Sequence, residues 1–150
     1  MAIREIVFPD CAGTEDYKKV LEEILASQKC PFCPENFFIK HKKPIISEKD
    51  NWFITESQWP YPKALYHFLI IGREHKEKLN ELTEKDLAAV AYLSDLITEE
   101  KKLEGGGLAL RFGDGRLSGA TVAHLHFHLI FPERNEDGLA EAVWFPIGPK

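Results

Sequence analysis

The sequence predicts one domain of mixed helices and short β-strands, and three features of the chain indicate this. Residues 124–130 alternate histidine with apolar side chains, which is the period of two that a strand gives. Short β-prone runs between residues 37 and 71 are separated by polar or proline-bearing turns, which suggests an antiparallel meander. Two stretches, after Thr14 and after Thr83, have the apolar spacing of amphipathic helices.

Length and charge limit the class of protein. The 150 residues fit a single domain that spans residues 1–150 and buries a sizeable core. The formal net charge of −5 argues against a protein that binds nucleic-acid backbone, while small nucleotides stay possible. No apolar run approaches the ~20 residues that span a bilayer, and the first nine residues lack the apolar region of a signal peptide. We therefore expect a cytoplasmic protein with no membrane partner.

The first helix is predicted to begin after Thr14, whose hydroxyl can cap it. Its apolar stripe consists of Tyr17, Val20, Leu21, Ile24 and Leu25. The helix leads into Cys30 and Cys33, a Cys-x-x-Cys spacing that suits a metal or a redox dithiol better than a structural disulfide. A metal is favoured because a redox pair would begin a helix that follows a parallel strand. Cys11 is expected to be a free thiol.

The strands and the second helix follow in order. β-prone runs lie at residues 37–39, 45–46, 52–55 and 66–71, and the last of them is predicted as a central strand that ends at Gly72. Thr83 begins an approximate capping box, after which the longest helix is predicted to run to the glycines at 105–107. Residues 108–112 are predicted as a strand that leads through a glycine-rich loop into the histidine run.

The histidine run is the strongest functional signal. On a strand, His124, His126 and His128 share one face and the apolar residues between them share the other, whereas a helix would scatter them around its axis. Ordinary core or surface histidines are the alternative, which a lone histidine would favour. Three imidazoles repel one another when charged and need partners when buried, so the pattern favours a functional site. A neutral imidazole with an exposed nitrogen can attack phosphorus directly.

The pattern His-φ-His-φ-His-φ-φ, where φ is apolar, and the Ser-Gly-Ala-Thr-Val run at 118–122 resemble the histidine triad family of nucleotide hydrolases and transferases. The resemblance implies an α+β fold, with an antiparallel β-sheet, a long helix and a shorter N-terminal helix. It also implies a protein that commonly forms a homodimer.

The resemblance implies catalytic roles for four residues. His126 corresponds to the nucleophile that accepts the nucleoside monophosphoryl group. His128 corresponds to the histidine that holds the phosphate oxygens, and Thr121 to the hydroxyl residue that contacts the phosphate or the leaving group. His67 corresponds to the strand histidine beside the α-phosphate, and an ordinary half-exposed strand histidine is the alternative for it.

One position departs from the family pattern. Many relatives carry an asparagine or glutamine that polarises the leaving group, and Gly113 stands there in this chain. Either Arg111 or Arg116 supplies positive charge to the phosphates instead, or the leaving-group chemistry is altered. In the first case Gly113, Gly115 and Gly119 would let backbone N–H groups approach the phosphates. Ser118 and Gly119 are assigned to substrate binding together with the two arginines. A solvated loop is the alternative for both arginines.

Zinc-bearing relatives complete a metal site with two histidines, which correspond here to His75 and His124 beside Cys30 and Cys33. Two cysteines and two histidines form a closed tetrahedral set, so the resemblance implies one structural zinc per chain and no organic cofactor. A cysteine pair that only packs or oxidises is the alternative.

Two hypotheses for function follow. The first is an enzyme that acts at the α-phosphate of an adenine or related nucleotide, phosphoramidate or dinucleoside polyphosphate through a covalent intermediate on His126. The second is a non-catalytic nucleotide-binding or signalling module, which the missing amide at Gly113 supports. Repair of adenylated nucleic acid is disfavoured by the acidic chain. Residues 144–148 resemble the aromatic-proline tail that reaches toward the active site in some relatives, with terminal packing as the alternative.

Overall fold

The structure is a computed structural model that describes residues 6–149. Four α-helices are present in this range: α1 (Glu15–Ser27), α2 (Phe37–Lys40), α3 (Glu84–Glu100) and α4 (Gly115–Ser118). Five strands accompany them: β1 (Ile45–Lys49), β2 (Trp52–Glu56), β3 (Ala64–Gly72), β4 (Gly107–Leu110) and β5 (His126–Pro132). None of these helices is long and apolar enough to cross a membrane.

The strands form one antiparallel sheet in the order β1-β2-β3-β5-β4. β5, which carries the histidine pattern, therefore lies inside the sheet between β3 and β4. In the register between β3 and β5, Leu69 lies opposite His128 and His67 lies opposite Ile130. His67 and His128 are thus diagonal neighbours on one face of the sheet, close enough for long side chains to meet.

The other face of the sheet packs against α3. Thr83 Oγ1 accepts from the Asp86 N–H at 3.2 Å and the Asp86 carboxylate accepts from the Thr83 N–H at 2.8 Å, so the predicted capping box is confirmed. The helix buries Leu93 and Ile97 against apolar side chains of the sheet. These include Ile54, Phe68, Ile70, Leu125, Phe127 and Leu129. The apolar residues between the histidines are therefore the anchor of β5, as the alternation predicts.

The histidine face is covered by segments from both ends of the chain. Leu21 and Ile24 of α1 pack with Val7 and Val122 in a second apolar cluster. Thr14 caps α1 as predicted, since its side chain accepts from the Tyr17 N–H at 3.1 Å. These contacts place the first helix next to the loop that enters the histidine strand.

Three element boundaries differ from the sequence predictions. Residues 37–39, predicted as β-prone, lie in the short helix α2, because Phe37 turns inward onto Phe53 instead of pairing in the sheet. The longest helix ends at Glu100, ahead of the glycines at 105–107, and Lys102 then adopts a left-handed φ of 53°. The strand predicted for 108–112 ends at Leu110.

The histidine strand also starts later than predicted. β5 begins at His126, and His124 precedes it in a bend. The reason is tertiary: Leu125 N–H donates to the Lys76 carbonyl at 2.7 Å, and the His124 ring bonds the Gly72 carbonyl. His124 is thereby tied to the chain that follows β3 and separated from the two histidines that stay in the strand.

Candidate active site and metal centre

Three imidazoles meet on the face of the sheet opposite α3. His67 comes from β3, and His126 and His128 come from β5; all three are buried. The ring centroids of His67 and His128 are 5.1 Å apart, and those of His126 and His128 are 4.9 Å apart. Tyr61 and Phe32 lie over this cluster, with ring centroids 4.5 Å from His67 and 4.9 Å from His126 respectively.

A chain of hydrogen bonds fixes the proton positions of His67 and His128. The Tyr61 backbone N–H donates to His67 Nδ1 at 3.1 Å, so neutral His67 carries its proton on Nε2. His67 Nε2–H then donates to His128 Nδ1 at 2.8 Å. The proton of neutral His128 must therefore lie on Nε2, where it can donate to a ligand. Burial, and then the charge of Arg111, lower the pKa of His67 to about 4, so His67 is neutral at pH 7.

His126 has the opposite arrangement. Its Nδ1 lies 2.8 Å from the His124 carbonyl oxygen, which can only accept, so Nδ1 carries the proton. Nε2 is left with a free lone pair. Burial lowers the pKa of His126 to about 4, against a smaller opposing effect of this hydrogen bond. The pKa of His128 is also lowered, mainly by burial. The cluster thus offers a nucleophilic nitrogen on His126 beside an N–H donor on His128.

Arg111 lies beside this cluster. Its side chain is buried, its Nε donates to the Pro146 carbonyl at 2.8 Å, and its Nη1 donates to the Tyr61 hydroxyl at 2.8 Å. The Phe145 ring covers the guanidinium at 3.8 Å and also contacts His128, with centroids 5.0 Å apart. The C-terminal segment, residues 144–148, therefore reaches the site of its own chain.

Arg116 has a different environment from Arg111. It is exposed and its guanidinium pairs with the Asp114 carboxylate at 2.8 Å. Together with His75, Lys78 and Glu81, it lines a cavity of about 910 Å³. The structure thus distinguishes the two candidate arginines, because only the buried Arg111 shares its aromatic neighbours with His128.

The loop that enters the histidine strand is held by backbone contacts. Gly119 has a φ of +79°, and a Cβ placed there would lie 2.4 Å from the Gly148 carbonyl oxygen. Ser118 is buried; its Oγ accepts from the Ala120 N–H at 3.1 Å, and its carbonyl accepts from the Gly148 N–H at 2.9 Å. Gly113 also has a φ of +79°, and a Cβ there would meet open space. The chain therefore provides room, and no amide, at the position of the family's asparagine or glutamine.

The Thr121 hydroxyl shares a hydrogen bond with Tyr17 of α1. The two oxygens are 2.8 Å apart, and the Tyr17 ring stacks on Trp59 with centroids 5.3 Å apart. Burial raises the pKa of Tyr17 to about 12, so the phenol stays protonated. Tyr17 can therefore hold the Thr121 hydroxyl in one orientation.

Two cysteines and two histidines form a second cluster at the end of β3. The candidate ligand atoms of Cys30, Cys33, His75 and His124 all lie within 4.8 Å of one another. His124 Nδ1 is 3.3 Å from Cys30 Sγ, 3.7 Å from Cys33 Sγ and 3.2 Å from His75 Nδ1. Zinc bonds of about 2.0–2.3 Å in a tetrahedron place neighbouring ligand atoms about 3.3–3.8 Å apart, so the four atoms fit such an ion.

The protons of these histidines also suit a metal. His124 Nε2 lies 2.5 Å from the Gly72 carbonyl oxygen and His75 Nε2 lies 3.0 Å from the Glu77 carboxylate, so both rings carry their protons on Nε2. Nδ1 of each ring is then the unprotonated nitrogen, which can bind a metal, and the ring is oriented by the partner of the opposite nitrogen, as is usual for metal-binding histidines. The structure thus brings together all four residues that the sequence analysis selected.

Sequence reasoning missed Tyr61, Phe32 and Tyr17 as residues of the site. Tyr61 lies in the proline-rich break before β3, and its proximity to His67 in the chain is the one signal that could have indicated it. Phe32 lies between the two cysteines, so a closed Cys₂His₂ site implies its approach to the histidines. Tyr17 was assigned only to the apolar stripe of α1, and nothing in its spacing indicates the contact with Thr121.

Three histidines on the neighbouring strands β3 and β5, beside a cluster of two cysteines and two histidines, define the class of protein. Comparison with known proteins gives the same class. The family profile for the HIT domain matches residues 41–135. This chain therefore belongs to the HIT, or histidine triad, family. The matched region contains β3 and β5 with His67, His126 and His128. It does not contain α1, the cysteine pair or residues 144–148.

Individual relatives give the same result. The chain is 31% identical over 91 residues to an adenosine 5'-monophosphoramidase of Schizosaccharomyces pombe, which covers 59% of this chain and 66% of the relative. It is 34% identical over 87 residues to an adenosine 5'-monophosphoramidase of Candida albicans, covering 50% and 53%. The chain thus spans between about half and two-thirds of these relatives. The crystal structure of a zinc-bound histidine triad family protein from Mycobacterium smegmatis superposes with a TM-score of 0.55 at 25% identity, covering 76% of this chain and 81% of that one.

Proposed function

We propose that this protein is a nucleotide hydrolase or nucleotidyltransferase that acts at the α-phosphate of an adenine nucleotide, phosphoramidate or dinucleoside polyphosphate. The observation that carries the proposal is the pair of fixed tautomers, with a lone pair on His126 Nε2 and a proton on His128 Nε2. The named activity of the two fungal relatives, adenosine 5'-monophosphoramidase, supports the substrate class.

The reaction proceeds in two displacements. His126 Nε2 attacks the α-phosphorus, and the bond from phosphorus to the leaving group breaks, which gives a covalent nucleotidyl-histidine. In the imidazolium formed in this step, Nδ1–H still donates to the His124 carbonyl, and this hydrogen bond stabilises the positive charge. Water then attacks phosphorus, releases the nucleoside monophosphate and restores the neutral imidazole, with one proton passing to solvent.

The surrounding residues position the phosphate. His128 Nε2–H donates to a phosphate oxygen, and His67 fixes the tautomer of His128 from behind. Arg111 and the backbone of the loop at Ser118 and Gly119 add positive potential. The Thr121 hydroxyl, oriented by Tyr17, contacts the phosphate or the leaving group.

Arg116, the second arginine selected from the sequence, belongs to the proposed substrate-binding set as well. It lines a cavity with His75 and Gly113, and none of His67, His126 and His128 lines that cavity. The Asp114 carboxylate already compensates its charge. Its contribution is therefore expected to be smaller than that of Arg111.

We also propose that Cys30, Cys33, His75 and His124 hold one structural zinc ion. The donor types, their separations and the unprotonated Nδ1 atoms of the two histidines support this, and the four residues fill a tetrahedral set without an open position. The ion would tie the segment after α1 to the start of the catalytic strand. For the chain as a whole, we propose a single domain that forms a homodimer and is located in the cytoplasm. Light scattering, which measures the molar mass in solution, tests the dimer.

The experiment that tests the enzymatic proposal measures AMP release from adenosine phosphoramidate and from diadenosine tetraphosphate by chromatography. We expect release by the parent protein and a loss of at least about 10³-fold in the His126→Ala variant, because that variant has no nucleophile. The matched control is His41→Ala, which removes a buried histidine that bonds Thr55 outside the cluster. Equal activity in the parent and His126→Ala proteins would contradict the proposal.

A second candidate function is a nucleotide-binding module without turnover. The open space at Gly113, where many relatives place an amide, favours it. This function predicts that nucleotide binding measured by calorimetry survives in His126→Ala while the parent protein releases no AMP. The two candidates therefore differ in one measured quantity, the product formed by the parent.

A further inference from the structure

Arg111 is a buried cation that no carboxylate of residues 6–149 pairs with, and the residue is 8% exposed. Buried charges in proteins are normally paired, because an unpaired charge loses its hydration without compensation. A positive charge kept in this state beside a candidate active site indicates that its partner is an anion from outside the chain.

The groups that hold Arg111 are neutral and leave part of the guanidinium free. Nε donates to the Pro146 carbonyl, Nη1 donates to the Tyr61 hydroxyl, and the Phe145 ring covers one face. No acceptor in the described part of the chain bonds Nη2. In the same part of the chain, every fully buried polar side-chain atom has a hydrogen-bond partner. Because Nη2 has none, it is not fully buried and is accessible to solvent. A ligand oxygen can therefore bond to Nη2.

Arg111 is next to the histidine cluster. It directly follows β4, whose last residue, Leu110, lies opposite Phe127 of β5. The Phe145 ring contacts both the Arg111 guanidinium, at 3.8 Å, and the His128 ring, with centroids 5.0 Å apart. Tyr61, which accepts from Arg111 Nη1, also lies over His67. Arg111 therefore shares its neighbours with the imidazoles of the candidate active site.

We infer that Arg111 is a specificity-determining residue that selects substrates with an anionic phosphate leaving group, such as dinucleoside polyphosphates, over phosphoramidates with an amine leaving group. This inference rests on the proposed function. When a polyphosphate is cleaved, the His126 Nε2–P bond forms and the bridging P–O bond breaks, with the electron pair departing on a phosphate oxygen. The fixed guanidinium compensates this charge without proton transfer. A departing amine needs a proton instead, which a guanidinium does not release.

The test compares the kcat/KM of the parent protein for diadenosine tetraphosphate and for adenosine phosphoramidate with the values for Arg111→Gln and Arg111→Lys. We expect the parent to prefer diadenosine tetraphosphate. Arg111→Gln should lower kcat/KM for this substrate on the order of 10²-fold and lower that for the phosphoramidate less than about 5-fold. Arg111→Lys should recover part of the loss, since it keeps the charge and loses the planar donor set. Arg134→Gln, an exposed arginine paired with Glu104, is the matched control.

Each contrary outcome has a separate meaning. Equal losses on both substrates would place Arg111 on the shared α-phosphate and overturn the inference. A parent protein that prefers the phosphoramidate would also overturn it and would leave the proposed function intact. If the parent cleaves neither substrate, the proposed function fails. The inference is then decided by calorimetry in the His126→Ala background, where Arg111→Gln should weaken binding of diadenosine tetraphosphate more than binding of AMP. Equal weakening of the binding of diadenosine tetraphosphate and of AMP would overturn the inference. Circular dichroism establishes that each variant is folded.

Discussion

Replacing His41 with glutamine should make the protein less sensitive to acid. His41 lies outside the candidate active site and is 8% exposed, with its ring stacked on Phe37 at 4.6 Å. Its Nε2 is 2.9 Å from Thr55 Oγ1, and because the Thr55 hydroxyl donates to the Pro44 carbonyl, His41 must be the donor. Burial, and then the charge of Lys43, lower the pKa of His41 from 6.5 to about 4.

The sign and size of the effect follow from these pKa values. The folded protein binds this proton less readily than the unfolded chain does, so acid favours unfolding. The contribution of neutral His41 to the free energy of unfolding is complete above pH 6.5 and is lost as the pH falls toward 4. Between about pH 8 and pH 5 the loss amounts to about 2 kcal/mol.

The assay is urea unfolding of the parent and His41→Gln proteins at pH 8 and at pH 5. Glutamine keeps an N–H donor for Thr55 and does not titrate. The parent should lose about 2 kcal/mol more than the variant between the two pH values. The other histidines titrate in both proteins, so their effect cancels in this difference, as does any constant cost of the substitution. An equal loss in both proteins would refute the reasoning, since His41 would then not be a buried neutral group.

Two further predictions concern the metal cluster and the loop before β5. Cys30→Ser should lower the bound zinc measured by atomic absorption and lower Tm, whereas Cys11→Ser, outside the cluster, should leave zinc content unchanged; equal zinc in both would remove Cys30 from the ligand set. Gly119→Ala should reduce the free energy of unfolding by about 1–3 kcal/mol, because its φ is +79° and the new Cβ would meet the Gly148 carbonyl oxygen at 2.4 Å. Gly105→Ala, which meets open space, is the control, and equal stabilities would contradict the prediction.

Local chemistry was sufficient to predict most elements of the fold. The Thr14 and Thr83 caps are contacts within one helical turn, and both helix starts are confirmed. The alternation in β5 is a property of extended backbone, and Leu125 and Phe127 pack in the core as it predicts. The prediction of an extended segment at residues 37–39 was wrong, because the burial of Phe37 against a distant strand outweighed the local β propensity of these residues.

The candidate site could be predicted only where residues are close in sequence. His126 and His128 are two positions apart, and the Cys-x-x-Cys spacing is equally local. Arg111 was one of two candidates, and only its burial beside Tyr61 and Phe145 distinguishes it from Arg116. The choice depends on packing between segments that the sequence separates widely.

The sequence by itself determined which imidazoles share a face of the sheet, because side-chain alternation follows from the covalent geometry of an extended chain. It also determined which residue types could bind a metal. The tertiary structure decided which nitrogen of His128 and of His124 carries the proton. Their partners are far along the chain: His67 is 61 positions from His128, and the Gly72 carbonyl is 52 positions from His124. The partner of His126 is the His124 carbonyl, only two positions away, so that tautomer depends on the local bend before β5. The folded sheet is what brings His67 to His128 and thereby makes His128 Nε2 a donor beside the lone pair of His126 Nε2.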